Sequence, residues 1–190
     1  QILFNVVRDG GSGVIMELSD NTLVKGNDLS GNVTGVVVEE STDVIIDSNN
    51  ASGGLGSGIE VGSLSANVTV LNNAASANGG VGIEISDAAP AGQGAQIMGN
   101  TADANGGDGI SVEGAGHLIG GAQPEQGNTV QLNGGWGIYA VGAIDRGNNF
   151  AAGNMEPGQC YGVVCRIGAP PGAPDTWIVE HPPEVTASRN

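Results

Sequence analysis

Glu60 and Glu84 are two carboxylates 24 residues apart. Whether they act together depends on how the chain returns on itself between them. Two carboxyl groups cleave glycosidic bonds when they stand about 5 Å apart, or about 6.5–9.5 Å apart for the opposite stereochemical course. Like charges held together also raise one pKa of the pair, as a general acid requires. Asp108 supplies a third carboxyl, and Ser111, His117, Trp136 and Tyr139 follow it. Flat indole and phenol rings suit the C–H faces of sugars, while hydroxyl, imidazole and carboxyl groups suit their hydroxyls. Glu60, Glu84 and Asp108 are therefore candidate catalytic residues. Trp136, Tyr139, Ser111 and His117 are a candidate carbohydrate-binding set. No cofactor is expected, and Glu84 is the single position that suggests a metal, Ca2+. The histidines, His117 and His181, show no serine or cysteine partner arrangement for nucleophilic catalysis.

These residues meet only if the chain repeats in phase, and it does. The motif NGGVGIEIS at 78–86 returns as NGGDGISVE at 105–113 and as NGGWGIYAV at 133–141. Anchored on the glycine of each Gly-Ile or Gly-Val, the repeat runs through Gly13, Gly35, Gly58, Gly82, Gly109, Gly137 and Gly162, with steps of 22, 23, 24, 27, 28 and 25 residues. A β-branched residue follows every anchor, and two positions further on stand Met16, Val38, Val61, Ile85, Val112, Ala140 and Cys165. Between them lie Ile15, Val37, Glu60, Glu84, Ser111, Tyr139 and Val164. This period-two alternation predicts a short half-buried strand in each repeat, with the mixed column facing out.

A second column precedes it. Asn5, Asn27, Asn49, Asn73, Asn100 and Asn128 each have an apolar residue two positions on, and the first five follow Ile2, Val24, Ile46, Val70 and Ile97 by three. Each repeat thus holds about three short strands joined by glycine or asparagine corners, which tolerate positive φ. Repeats of this length and composition predict an all-β fold, a parallel β-helix of about seven coils. Coils stack about 4.8 Å apart, so the asparagines would form a hydrogen-bonded ladder along the rod. A calcium-built glycine-rich roll instead closes every nine residues and takes Asp at the sixth place of GGxGxDxU. Here that place holds Glu84, Ser111 and Tyr139.

Composition narrows the partners. Twenty Asp and Glu against five Lys and Arg give a formal charge of −15, the wrong sign for nucleic acid or an anionic membrane. No apolar run is long enough to span a bilayer as a helix. Cys160 and Cys165 are the only cysteines. Their spacing supports a disulfide closing a small loop; a metal pair lacks further ligands, and a redox pair lacks the CxxC form. A disulfide implies an oxidising setting, extracellular or at a cell surface. Two repeats are lengthened, within Ser86–Gly94 and Glu113–Gly127, and these neighbouring loops are expected to wall a groove.

The phased columns resemble the right-handed parallel β-helix repeats of the pectate-lyase-like superfamily. HLIGGAQPEQGNTVQLNGGWGI, 117–138, is similar to a recurrent coil of secreted bacterial members, and GNNFAAGNMEPGQCYGVVC, 147–165, to their last coil. The resemblance covers residues 1–166 and implies fold more than function, because the scaffold hosts lyases, hydrolases, epimerases, adhesins and stalks. Superfamily lyases combine acidic calcium ligands with an Arg or Lys base; Arg8, Lys25, Arg146, Arg166 and Arg189 are not near Glu84 in this register. Epimerases of similar fold carry an Asp-Pro-His run, which is absent. The expected function is a structural or adhesive module of a secreted or surface protein that contacts polysaccharide. The alternative is a polysaccharide-active lyase, glycoside hydrolase or epimerase. Residues 167–190, with five of the eight prolines, read as a linker toward an Ig-like module. Bare strand edges at the N-terminal coil suggest end-to-end self-association.

Overall fold

The computed structural model describes residues 1–62, 64–86 and 92–168. Within them the chain winds into a parallel β-helix with three faces. The first sheet stacks seven strands: Ile2–Leu3, Leu23–Lys25, Ile45–Asp47, Thr69–Leu71, Gln96–Met98, Leu118–Gly120 and Ile144–Gly147. The second stacks Ser12–Glu17, Thr34–Glu39, Ile59–Val61, Ile83–Ile85, Ile110–Val112, Ile138–Ala140 and Cys160–Tyr161. The third consists of Thr129–Gln131, Phe150–Ala152 and Arg166–Ile167, extended toward the N-terminus by single parallel bridges through Thr101, Ala74, Asn50, Asp28 and Val6. The proline-rich residues from 169 onward, including His181 and Arg189, lie outside the described residues.

The alternation read from the sequence sets the core. Ile59, Ile83, Ile110 and Ile138 pair in register across successive coils and are fully buried. Val24, Ile46, Val70, Ile97 and Ile119 do the same from the first sheet. Each such side chain contributes roughly 1.5–3 kcal/mol on leaving water.

The asparagines line the corner between the first and third sheets. In Asn27, Asn49, Asn73, Asn100 and Asn128, the backbone N–H and the Nδ2 group both donate to the Oδ1 of the next coil's asparagine, at 2.8–3.1 Å. The same Nδ2 groups donate to the strand carbonyls of Ile2, Val24, Ile46, Val70 and Ile97. The ladder runs one coil beyond the column read from the sequence, to Asn149. A second ladder at the next corner links Asn78, Asn105, Asn133 and Asn154 and ends on Gln159, whose Oε1 accepts from Asn154.

These ladders explain the NGGxGI motif. Its asparagine is a rung of the second ladder. A Cβ on Gly106 would lie 2.3 Å from the Gly79 carbonyl oxygen, and one on Gly109 would lie 2.6 Å from the Gly137 carbonyl oxygen and 2.7 Å from Asn133 Nδ2. Adjacent coils pass too closely there for any side chain.

Two expectations need correction. The last coil does not begin at Gly162, which sits at φ +85 in a turn. Its second-sheet strand is Cys160–Tyr161, so Ile138 pairs with Cys160 and Tyr139 with Tyr161. Gln159 takes the anchor's place because its side chain is needed to close the second ladder. In the other case, Glu113–Gly127 is not one loop. Leu118–Gly120 inside it is a regular strand of the first sheet, and the added length is the segment after it, with a short 3-10 helix at Pro124–Gln126.

Candidate functional site

The outward column of the second sheet contains Ile15, Val37, Glu60, Glu84, Ser111, Tyr139 and Tyr161, paired in that order. Glu60 and Glu84 are therefore direct neighbours on adjacent coils, at a backbone spacing of about 4.8 Å. Glu84 Oε2 accepts the hydroxyl hydrogen of Ser57 at 3.1 Å. No group of three or more His, Cys, Asp or Glu gathers into a metal-binding set among the described residues.

The C-terminal end of this face is aromatic. The rings of Tyr139 and Tyr161 are stacked, with centroids 5.6 Å apart and planes 11° from parallel. Trp136 lies 5.6 Å from Tyr161 at 51°. Its ring packs over Gly158, where a Cβ would come within 2.8 Å of the indole. Tyr161 is exposed, and Trp136 and Tyr139 are half-buried, so the cluster presents ring surface to solvent. Tyr161 was missed from the sequence because the last coil was read three residues out of phase.

Asp108 stands beside the cluster, and its Oδ1 accepts the Trp136 backbone N–H at 2.7 Å. Burial raises the Asp108 carboxyl above the ordinary carboxylate range, the Trp136 N–H draws it partly back, and the charge of Glu156 pushes it up again. Asp108 thus fixes the backbone that carries Trp136.

His117 does not belong to this face. It is 2 % exposed and its Nδ1 accepts the Ala95 N–H at 3.0 Å. It precedes the Leu118–Gly120 strand and points inward. The expected groove is also displaced. Residues 87–91 of the first lengthened loop lie outside the described residues. The segment after Gly120 borders a cleft of about 550 Å³ on the first sheet instead, lined by Gln96, Met98, Leu118, Gln126 and Arg146 among others. Of the basic residues, Arg8 pairs with Asp28 and Lys25 with Asp47. Arg146 lies on the first sheet and Arg166 on the third, so no described lysine or arginine stands on the second. Cys160 and Cys165 are disulfide-bonded, closing the turn that follows Tyr161.

Residues 5–154 match the family model described as a right handed beta helix region. The chain belongs to the right-handed β-helix family. No curated protein matches it. Among solved structures, this right-handed β-helix is similar to the periplasmic alginate epimerase AlgG, with a TM-score of 0.62 and 19% identity over 86% of this chain and 37% of the other. A point mutant of the same epimerase gives a TM-score of 0.62 and 20% identity over 92% and 42%. The chain therefore spans well under half the length of these structures. At that identity the likeness is one of fold. No helix among the described residues is long and apolar enough to cross a membrane.

Proposed function

We propose that this right-handed β-helix is a non-catalytic polysaccharide-contacting module of an extracytoplasmic protein. Its contact surface is the C-terminal half of the second sheet. The observation that carries the reading is the stacked Tyr139–Tyr161 pair with Trp136 beside it. Ring surface held rigidly on a flat β-face suits the apolar faces of sugar units, and Ser111 and Glu84 in the same column supply hydrogen-bonding groups. The disulfide fits an oxidising compartment. The fold likeness to a periplasmic enzyme of alginate supports the same setting and ligand class.

The rival reading is an enzyme in which Glu60 and Glu84 form the catalytic pair, with Asp108 behind them. Their register neighbourhood supports it. Against it, Asp108 is committed to the Trp136 backbone, and no described base stands on that sheet.

Affinity electrophoresis in gels containing neutral or acidic polysaccharides tests the proposal, alongside a reducing-end and unsaturated-product assay. Retarded migration with no product is expected, and the retardation should be lost in Tyr161→Ala. Product formation that disappears in Glu84→Gln would replace this reading with the enzymatic one.

A further inference from the structure

The cleft on the first sheet carries an inference independent of the aromatic face. Leu118 pairs with Ile144 and Ile119 with Asp145, but Gly120 pairs with Gly147. Arg146 is thus the extra residue of a β-bulge, opposite no partner. Bulges re-aim a side chain out of the regular pleat and recur beside functional sites. Gly147, at φ +87, completes the distortion; glycine adopts that conformation without the clash a Cβ brings.

The bulge turns an arginine into a cleft of a strongly acidic chain. Arg146 is exposed, and no ion pair or hydrogen bond to it is found among the described residues. The adjacent Asp145 does not neutralise it. Its Oδ1 accepts the Gly147 N–H at 2.8 Å, and its Oδ2 accepts the Val164 N–H at 2.9 Å. Arg8 and Lys25 are each paired with an aspartate, so Arg146 differs from them. Around it the cleft offers Gln96, and Gln126, whose Oε1 is taken by the Gln123 N–H and which therefore presents its amide hydrogens. Met98 and Leu118 give an apolar patch.

We infer that this cleft binds a carboxylate-bearing sugar unit. The Arg146 guanidinium takes the carboxylate in a forked, charge-assisted contact. Gln96 and Gln126 meet ring hydroxyls, and Met98 and Leu118 lie under the C–H face. The volume of about 550 Å³ suits one or two sugar residues. The site lies on a different face from Trp136, Tyr139 and Tyr161, and does not rest on their function.

Amide and guanidinium NMR shifts of the whole chain test this, with galacturonate trimer, its methyl-esterified form and sodium sulfate as probes. The acidic trimer is expected to move the side-chain signals of Gln96, Gln126 and Arg146. The esterified trimer should bind about tenfold more weakly or worse, the usual effect of losing one charge-assisted hydrogen bond. Arg146→Gln should abolish the shifts and Arg146→Lys restore them in part; both sit on an exposed bulge, and an unchanged spectrum elsewhere shows that the fold holds. Trp136→Ala should leave the cleft signals unaltered. Equal affinity for sulfate would reduce the site to a simple anion hole and overturn the sugar assignment. Trimer binding unaffected by Arg146→Gln would overturn it altogether.

Discussion

Tyr161 lies over Tyr139 from the adjacent coil, ring centroids 5.6 Å apart and nearly parallel. The pairing follows from the strand register, in which Tyr139 and Tyr161 are direct partners. One ring therefore buttresses the other, and removing Tyr161 also frees Trp136 on its far side. Tyr161→Ala should weaken polysaccharide retention more than Ser111→Ala. Losing an aromatic pair is worth about 0.5–1.5 kcal/mol beyond the area lost, so a drop of roughly three- to tenfold or more is expected in titration calorimetry. Equal effects of the two substitutions would dissociate the rings from binding.

Asn100 receives two hydrogen bonds from Asn73 and donates to Asn128 and to the Val70 carbonyl. Asn100→Ala leaves buried donors on one side and an empty acceptor on the other. At about 1–3 kcal/mol per buried unsatisfied group, urea denaturation should show a loss of roughly 2–4 kcal/mol. An exposed asparagine such as Asn67, at its own corner, should cost under about 0.5 kcal/mol on the same treatment.

Asp108 and Asp47 should respond to pH in opposite senses. The folded Asp108 carboxyl lies above its unfolded value, chiefly because burial disfavours its charge. Its contribution is therefore full below the unfolded pKa and is lost as pH rises through the folded one. Burial alone would raise Asp47 too, but Lys25, Ser48 and Asn72 outweigh it and bring that carboxyl below the usual range. Its contribution is present above the unfolded pKa and is lost as pH falls. The melting temperature of Asp108→Asn, relative to the unaltered protein, should rise between acid and neutral pH, and that of Asp47→Asn should fall. The same sign for both would contradict the assignment.

Reducing the Cys160–Cys165 bond should cost about 2 kcal/mol, since the loop is short. The effect should be local. Hydrogen exchange is expected to quicken at Tyr161 and Arg166 while Ile59 and Ile83 stay protected. Uniform loss along the rod would show that the last coil governs the whole stack.

The period-two runs and the asparagine column made the solenoid, its core and the Glu60–Glu84 register legible, because each depends on residues a fixed number of positions apart. What could not be read depended on broken phase. Ile119 was hidden because the inserted segment puts nine residues between it and Asn128, where Ile97 precedes Asn100 by three. His117 looked polar and exposed, yet its coil position turns it inward, where the Ala95 N–H satisfies it. Tyr161 was lost because a glutamine replaced the glycine that marked every other strand start. The Arg146 cleft has no repeat signature, being made by a bulge in a single coil.

The first ladder donates in one sense throughout, each asparagine to the one nearer the C-terminus. At its far end the buried Nδ2 of Asn149 finds no acceptor, whereas Gln159 folds back on the Asn154 and Glu156 carbonyls and seals the second. Such a chain of dipoles is directional, but every interior link is equivalent to its neighbours. Tandem duplication of an internal coil would lengthen the rod and leave both termini chemically unchanged, so the fold can grow or shrink in units of one turn without redesigning its ends.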